Sequence, residues 1–172
     1  MRKLAAVLLM APTLAFAAGD EDKPPKNPTV FCTGGKVYDK EVGKCVAPKE
    51  SSLDRDELYQ AVRQFAYAGA FEDAQSVAQA LPADDPGRLT YMGFTHRKLG
   101  NPELAIIYYQ RAIDMDPANI LARSYMGQGH VEAGEIDLAM VQLKAIRDHG
   151  DGGTWSEASL RNAIATGTTY NY

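Results

Sequence analysis

The chain is 172 residues long, with 18 Lys and Arg set against 22 Asp and Glu for a formal charge of −4, and 45% of its residues are hydrophobic. That is enough for one compact domain behind a leader. A mildly acidic chain without a basic block lacks the clustered cations that a phosphate backbone requires, so no nucleic-acid partner is expected.

Arg2 and Lys3 precede an apolar run from Leu4 to Leu14, and Ala15-Phe16-Ala17 supplies the small-x-small pattern read by a signal peptidase. The run is too short for a bilayer, which needs about 20 apolar residues. Residues 1–18 therefore read as a secretory signal peptide, cleaved near Ala17 or Ala18. The mature protein is expected in the periplasm or outside the cell, and no later stretch reads as a transmembrane segment. Residues 19–29 hold three prolines among alternating charges and read as a solvated linker.

Residues 30–48 form the next unit. Val37 and Tyr38 are strand formers, and Gly34-Gly35 and Asp39 to Gly43 are turn material. A small β-hairpin is expected, and it would be marginal alone. Cys32 and Cys45 are the only cysteines, and an even count in an exported chain favours a disulfide. Closing that loop constrains the unfolded chain by roughly 3 kcal/mol. Two thiolates without a third ligand make a poor zinc cage, so no metal is expected.

From Asp54 the apolar spacing turns helical. Leu58, Val62, Phe65 and Ala68 share one face; so do Leu89, Met92, Gly93, His96 and Leu99, and then Met126, Gly127, His130 and Ala133. Each stripe ends near a glycine (Gly69, Gly100, Gly134), and a second amphipathic stretch follows each one. Asp85-Pro86 and Asn101-Pro102 each offer a capping side chain before a first-turn proline. Asp54 with Glu57 and Thr154 with Glu157 have capping-box spacing. The glycine-rich break from His149 to Gly153 precedes a last helix from Trp155 to about Ala165, and 167–172 reads as a tail that frays, the alternative being that Tyr170-Asn171-Tyr172 lies in a groove, its own or a neighbour's.

The helical part repeats itself. Tyr91/Tyr125, Met92/Met126, Gly93/Gly127, His96/His130, Gly100/Gly134 and Ala105/Ala139 are each 34 residues apart. A period of this length in helical sequence signifies stacked helix pairs. The second unit, about Pro86 to Asn119, contains Leu89, Met92-Gly93, His96, Leu99-Gly100, Ala105, Tyr109, Ala112 and Pro117. This pattern resembles a tetratricopeptide repeat. The third unit, about Ile120 to Gly153, keeps Met126, Gly127, Gly134, Ala139 and Leu143. The first, about Arg55 to Asp85, has Val62 where the small residue is expected and Ala78 where the aromatic is, and it is shortened to a spacing of 31. The arrangement as a whole resembles small exported repeat proteins of alphaproteobacteria. The cysteine hairpin resembles those of secreted modules, some of which bind carbohydrate.

The resemblance implies an all-α, right-handed solenoid over residues 54–166, made of about three helix pairs plus a capping helix, behind the disulfide-closed hairpin. It also implies a concave groove lined by the first helix of each pair. Beside the core stripes, the groove positions are Tyr59, Arg63 and Tyr67; then Tyr91, Phe94, Arg97 and Lys98; then Leu121, Tyr125, Gln128 and Glu132. Tyr91 and Tyr125 are expected about one helix spacing apart, roughly 10 Å, and their removal is expected to leave melting nearly unchanged. Such a wall of rings and cations suits a protein or peptide partner. His96 and His130 read as aromatic substitutes on the core stripe and not as metal ligands. No nucleophile elbow, Walker loop, His-Glu-x-x-His or Cys-x-x-Cys occurs, so neither an enzyme nor a cofactor is expected. Two rival readings are envelope organisation by self-association, and a wall-carbohydrate binder using Phe31 and Tyr38 of the hairpin.

Overall fold

A computed structural model describes residues 30–149 and 153–170. The expected signal peptide and linker lie outside the described residues, as do Gly150 to Gly152 and the last two residues of the chain. Strands β1 (Val37–Asp39) and β2 (Lys44–Val46) pair antiparallel, with Tyr38 opposite Cys45. Cys32 and Cys45 are joined by a disulfide, with Cα atoms 5.9 Å apart. Seven helices follow: α1 (Arg55–Tyr67), α2 (Phe71–Ala78), α3 (Pro86–Lys98), α4 (Pro102–Met115), α5 (Ile120–Glu132), α6 (Ile136–His149) and α7 (Trp155–Thr166).

Consecutive helices pack as pairs, α1 with α2, α3 with α4 and α5 with α6, and α7 packs on both α5 and α6. Helices α5 and α6 begin 34 residues after α3 and α4, so the echo in sequence is an echo in structure. The first unit is shorter because α2 has 8 residues where α4 and α6 have 14. The fold is the expected α-solenoid.

One turn is used three times. Gly69, Gly100 and Gly134 sit at φ of 77°, 81° and 77°, the left-handed region open to glycine. The N–H after each glycine reaches back to the helix it ends: Ala70 to Phe65 O, Asn101 to His96 O and Glu135 to His130 O. These are Schellman turns, which satisfy carbonyls that the ending helix leaves free. The same turn corrects one expectation. Asn101 at φ −114°, ψ 64° makes no side-chain cap hydrogen bond, because its backbone is already committed to the turn of Gly100. Asp54 and Glu57 do form a capping box, and Asp85 caps α3 through the Arg88 N–H. Asn119 caps α5 through the Ala122 N–H and also donates to Thr90 Oγ1 at 3.1 Å.

Close helix approach depends on small residues. A Cβ added to Gly93 would stand 2.6 Å from the Tyr109 ring, and one added to Gly127 would stand 2.6 Å from Leu160. In the first unit the large and small partners are exchanged, and Val62 and Ala78 are both buried. The main core runs unbroken from Val37 of the hairpin to Met126 of α5. A second cluster, Val131, Ala139, Leu143, Ile146, Leu160 and Ala163, closes the far end. Helix α7 is therefore the cap that stops the last pair from exposing its apolar face.

Candidate protein-binding face

The inner wall is built from the leading helices α1, α3 and α5, which also contact one another. Its centre is a chain of phenols. The Tyr67 hydroxyl lies 2.6 Å from that of Tyr91 and 3.1 Å from that of Tyr125, so one side chain of α1 spans α3 to reach α5. Rings continue the contact edge to face: Tyr59 with Tyr91 at 5.7 Å, Tyr91 with Phe94 at 6.1 Å and Tyr125 with Trp155 at 6.3 Å. Phe71, from the start of α2, closes on Phe94 at 6.1 Å.

This packing corrects the expected exposure of the wall. Tyr91, Phe94, Tyr125 and Gln128 are 0% exposed, and Tyr59, Arg63 and Arg97 are buried as well. Leu121, also expected on the groove, lies in the core. Tyr67 and Lys98 remain half-buried, and Glu132 is exposed. The Tyr91 and Tyr125 ring centroids are 6.4 Å apart, not one helix spacing. The reason is geometric. The leading helices are in contact, and side chains as long as tyrosine meet one another between them before they reach solvent.

The three cations take different places. Arg63 lies over the rings of Tyr59 and Tyr67 at 6.0 and 5.8 Å, and Arg97 and Lys98 flank Phe94 at 5.9 and 5.8 Å. Arg97 donates to Glu132 at 2.7 Å across the α3–α5 junction. Burial and the neighbouring Arg97 charge push the Lys98 ammonium down. Burial also pushes phenols up: Tyr91 and Tyr125 well above the usual tyrosine range, and Tyr109 to about 12.

The two histidines differ, one making a ring contact and the other a polar one. His96 stacks on Tyr108 at 5.3 Å with rings 3° from parallel, and burial lowers its pKa. His130 meets Glu135 at 2.7 Å. No three His, Cys, Asp or Glu side chains come together as a metal site among the described residues. Phe31 of the hairpin lies 4.9 Å from Phe65, which docks the hairpin on α1. Asp39 holds it from the other side, accepting from the Ser52 N–H at 2.6 Å and the Ser52 hydroxyl at 2.9 Å. A cleft of about 660 Å³ remains between hairpin and α1, with Lys36, Lys40, Asp56 and Glu57 in its lining.

Sequence reasoning did not single out Phe71, two residues after the turn glycine Gly69. For the tail, 167–172, it preferred fraying to the alternative of a groove. The Gly167 turn (φ 71°) instead sends residues 168–170 back over α5, where the Thr169 hydroxyl donates to Glu132 Oε1 at 2.6 Å and the Tyr170 N–H donates to Gln128 Oε1 at 2.7 Å. The signal available was the glycine at the end of α7, which forecasts a reversal of the chain and not its continuation.

Paired helices, a repeated glycine turn and an inner wall of side chains from successive pairs define an α-solenoid of helix-hairpin repeats. Residues 87–119 match the tetratricopeptide repeat. Among solved structures the chain is similar to PcrH from Pseudomonas aeruginosa, with a TM-score of 0.52 and 22% identity over 66% of this chain and 90% of that one. A comparison with curated proteins finds no match. One tetratricopeptide repeat is thus matched within the solenoid, and at this identity the neighbour speaks to the fold alone.

Proposed function

We propose that this protein is an exported scaffold that holds a protein or peptide partner along the inner wall of its solenoid. The observation that carries the reading is the phenol chain Tyr67–Tyr91–Tyr125 across three leading helices. It fixes the wall as a rigid platform, and Tyr67, Lys98 and Glu132 remain reachable on it. A rigid platform loses little entropy on binding, and its half-exposed ring and cation are the groups that anchor polypeptides. The disulfide fits an oxidising compartment, in keeping with the leader. Among the described residues no helix is long and apolar enough to cross a membrane.

Lys98→Glu tests the reading. Lys98 is half-exposed, so melting should stay within about 2 °C of the parent. Retention of the partner from the native envelope should fall at least tenfold, by roughly 1.4 kcal/mol or more. Retention equal to the parent's would remove the inner wall from the interface.

Self-association is a second reading, and one observation favours it. The outer helices expose an apolar stripe: Ile107 and Met115 on α4, and Leu138, Met140 and Val141 on α6, each 47–59% exposed. A dimer that grows with concentration and is abolished by Val141→Lys, read by light scattering, would support that reading.

A further inference from the structure

The returning tail is more than a loose end laid on a surface. Gln128 is fully buried, yet it aims its amide oxygen at a passing backbone N–H. Glu132 is held in place by Arg97 of the neighbouring helix, whose own side chain is 2% exposed, and offers the same carboxylate oxygen to the Thr169 hydroxyl. Gln128 and Glu132 are one helical turn apart on α5, and they engage adjacent residues of an extended segment. The Tyr170 ring then rests against the closing apolar cluster. A backbone contact, a hydroxyl contact and a ring seat in a row are the elements of peptide recognition.

We infer that the α5 wall around Gln128 and Glu132 is a recognition site for an extended segment with a hydroxyl residue followed by an aromatic one. This chain's own Thr169-Tyr170 occupies it as a placeholder. The inference rests on the proposed function, since it names the partner's chemistry and where on the inner wall it binds. Two hydrogen bonds and one ring are a thin tie, and what maintains it is the tether. A segment joined through the short Gly167 turn acts at an effective concentration of order millimolar. A partner segment that brings further contacts on the wall displaces it, so the tail sets a threshold against weak or unrelated peptides.

The test uses the full mature chain and a tagged, end-blocked peptide Thr-Gly-Thr-Thr-Tyr, read by fluorescence anisotropy. Thr169→Val with Tyr170→Ala loosens the placeholder, and this chain should bind the peptide at least tenfold tighter than the parent. Adding Glu132→Ala should remove the gain, and a peptide with valine for its last threonine should bind at least tenfold more weakly. If the double variant fails to fold, Thr169→Val alone serves, with about a threefold gain expected. A folded variant that binds no better than the parent overturns the inference and leaves the tail as packing. A parent that dimerises through its tail, detected by sedimentation and lost in the variant, also overturns it, because the occupant is then a second copy. Absence of peptide binding with Lys98→Glu still releasing the partner defeats this inference alone. Peptide binding that fails to compete with the partner places the partner elsewhere and defeats the proposed function instead.

Discussion

Tyr91 touches Tyr59, Tyr67, Phe94 and Tyr125 and has no exposed surface. Its removal therefore opens a cavity at the centre of the inner wall. Tyr91→Ala should cost about 3–5 kcal/mol in urea unfolding, the range for deleting a buried aromatic ring, whereas Tyr91→Phe should cost about 1 kcal/mol through the lost contact with Tyr67. This reverses the expectation that alanine here leaves melting unchanged. Equal stability of Tyr91→Ala and parent would return the residue to the surface. The phenols also make an alkaline prediction. Burial raises the folded pKa of Tyr91, Tyr125 and Tyr109, the last to about 12. Their contribution to stability is complete below the unfolded value near 10 and is lost as pH rises toward the folded values. The share of the 295 nm tyrosinate absorbance that belongs to these three of nine tyrosines should rise together with loss of helical ellipticity, as one cooperative step. Full tyrosinate absorbance with helicity intact would contradict the burial.

At the scale of the element, the turns and the pairings were readable and the inner arc was not. Gly69, Gly100 and Gly134 announced themselves by position after each apolar stripe, and all three close a helix in the left-handed conformation. Gly93 stood out as the small residue of the second unit's pattern with Ala105 and Tyr109, and an added Cβ there would stand 2.6 Å from the Tyr109 ring. Helical spacing also put Tyr91, Phe94 and Tyr125 beside the core stripe, whereas the structure takes all three into the core. It does not say how sharply successive pairs turn, and that turn decides whether a side chain on the inner arc meets solvent or the next helix. Asn101 failed as a cap for a related reason, since the preceding turn had already fixed its backbone. Substitution separates the two glycine roles. Gly100→Ala should cost about 1 kcal/mol, the strain of a side chain in the left-handed region, because nothing stands within 4 Å of its added Cβ. Gly93→Val should cost more, about 1–3 kcal/mol or beyond, because its Cβ meets the Tyr109 ring. Equal costs in urea titrations of the two variants would contradict the assignment.

Across the whole molecule, the hairpin adds Val37 to one end of the main core and packs on α1 and α2, and the solenoid is the body. Reduction of Cys32–Cys45 should release the hairpin to proteolysis while helical ellipticity stays within about a tenth of the oxidised value. General loss of helix on reduction would show that the helices depend on the closed hairpin. Acid should loosen the same attachment. The Ser52 backbone N–H, with help from the Ser52 hydroxyl and the Glu41 and Val42 N–H groups, holds the Asp39 carboxyl below its ordinary value. That contribution is present above about pH 4 and is lost as pH falls through the lowered value. The sequence showed the order of these parts and the disulfide, because spacing and cysteine count report on chain-local facts. Docking of the hairpin through Phe31 on Phe65, and of the tail on α5, depends on surfaces that exist only after folding.

The central claim is that the partner lies along the inner wall. A photo-reactive residue at Lys98, or at Gln110 on the exposed side of α4, tests it in the native envelope. The account predicts partner adducts from position 98 and none from position 110. Adducts from position 110 with none from position 98 would put the partner on the outer helices and contradict it.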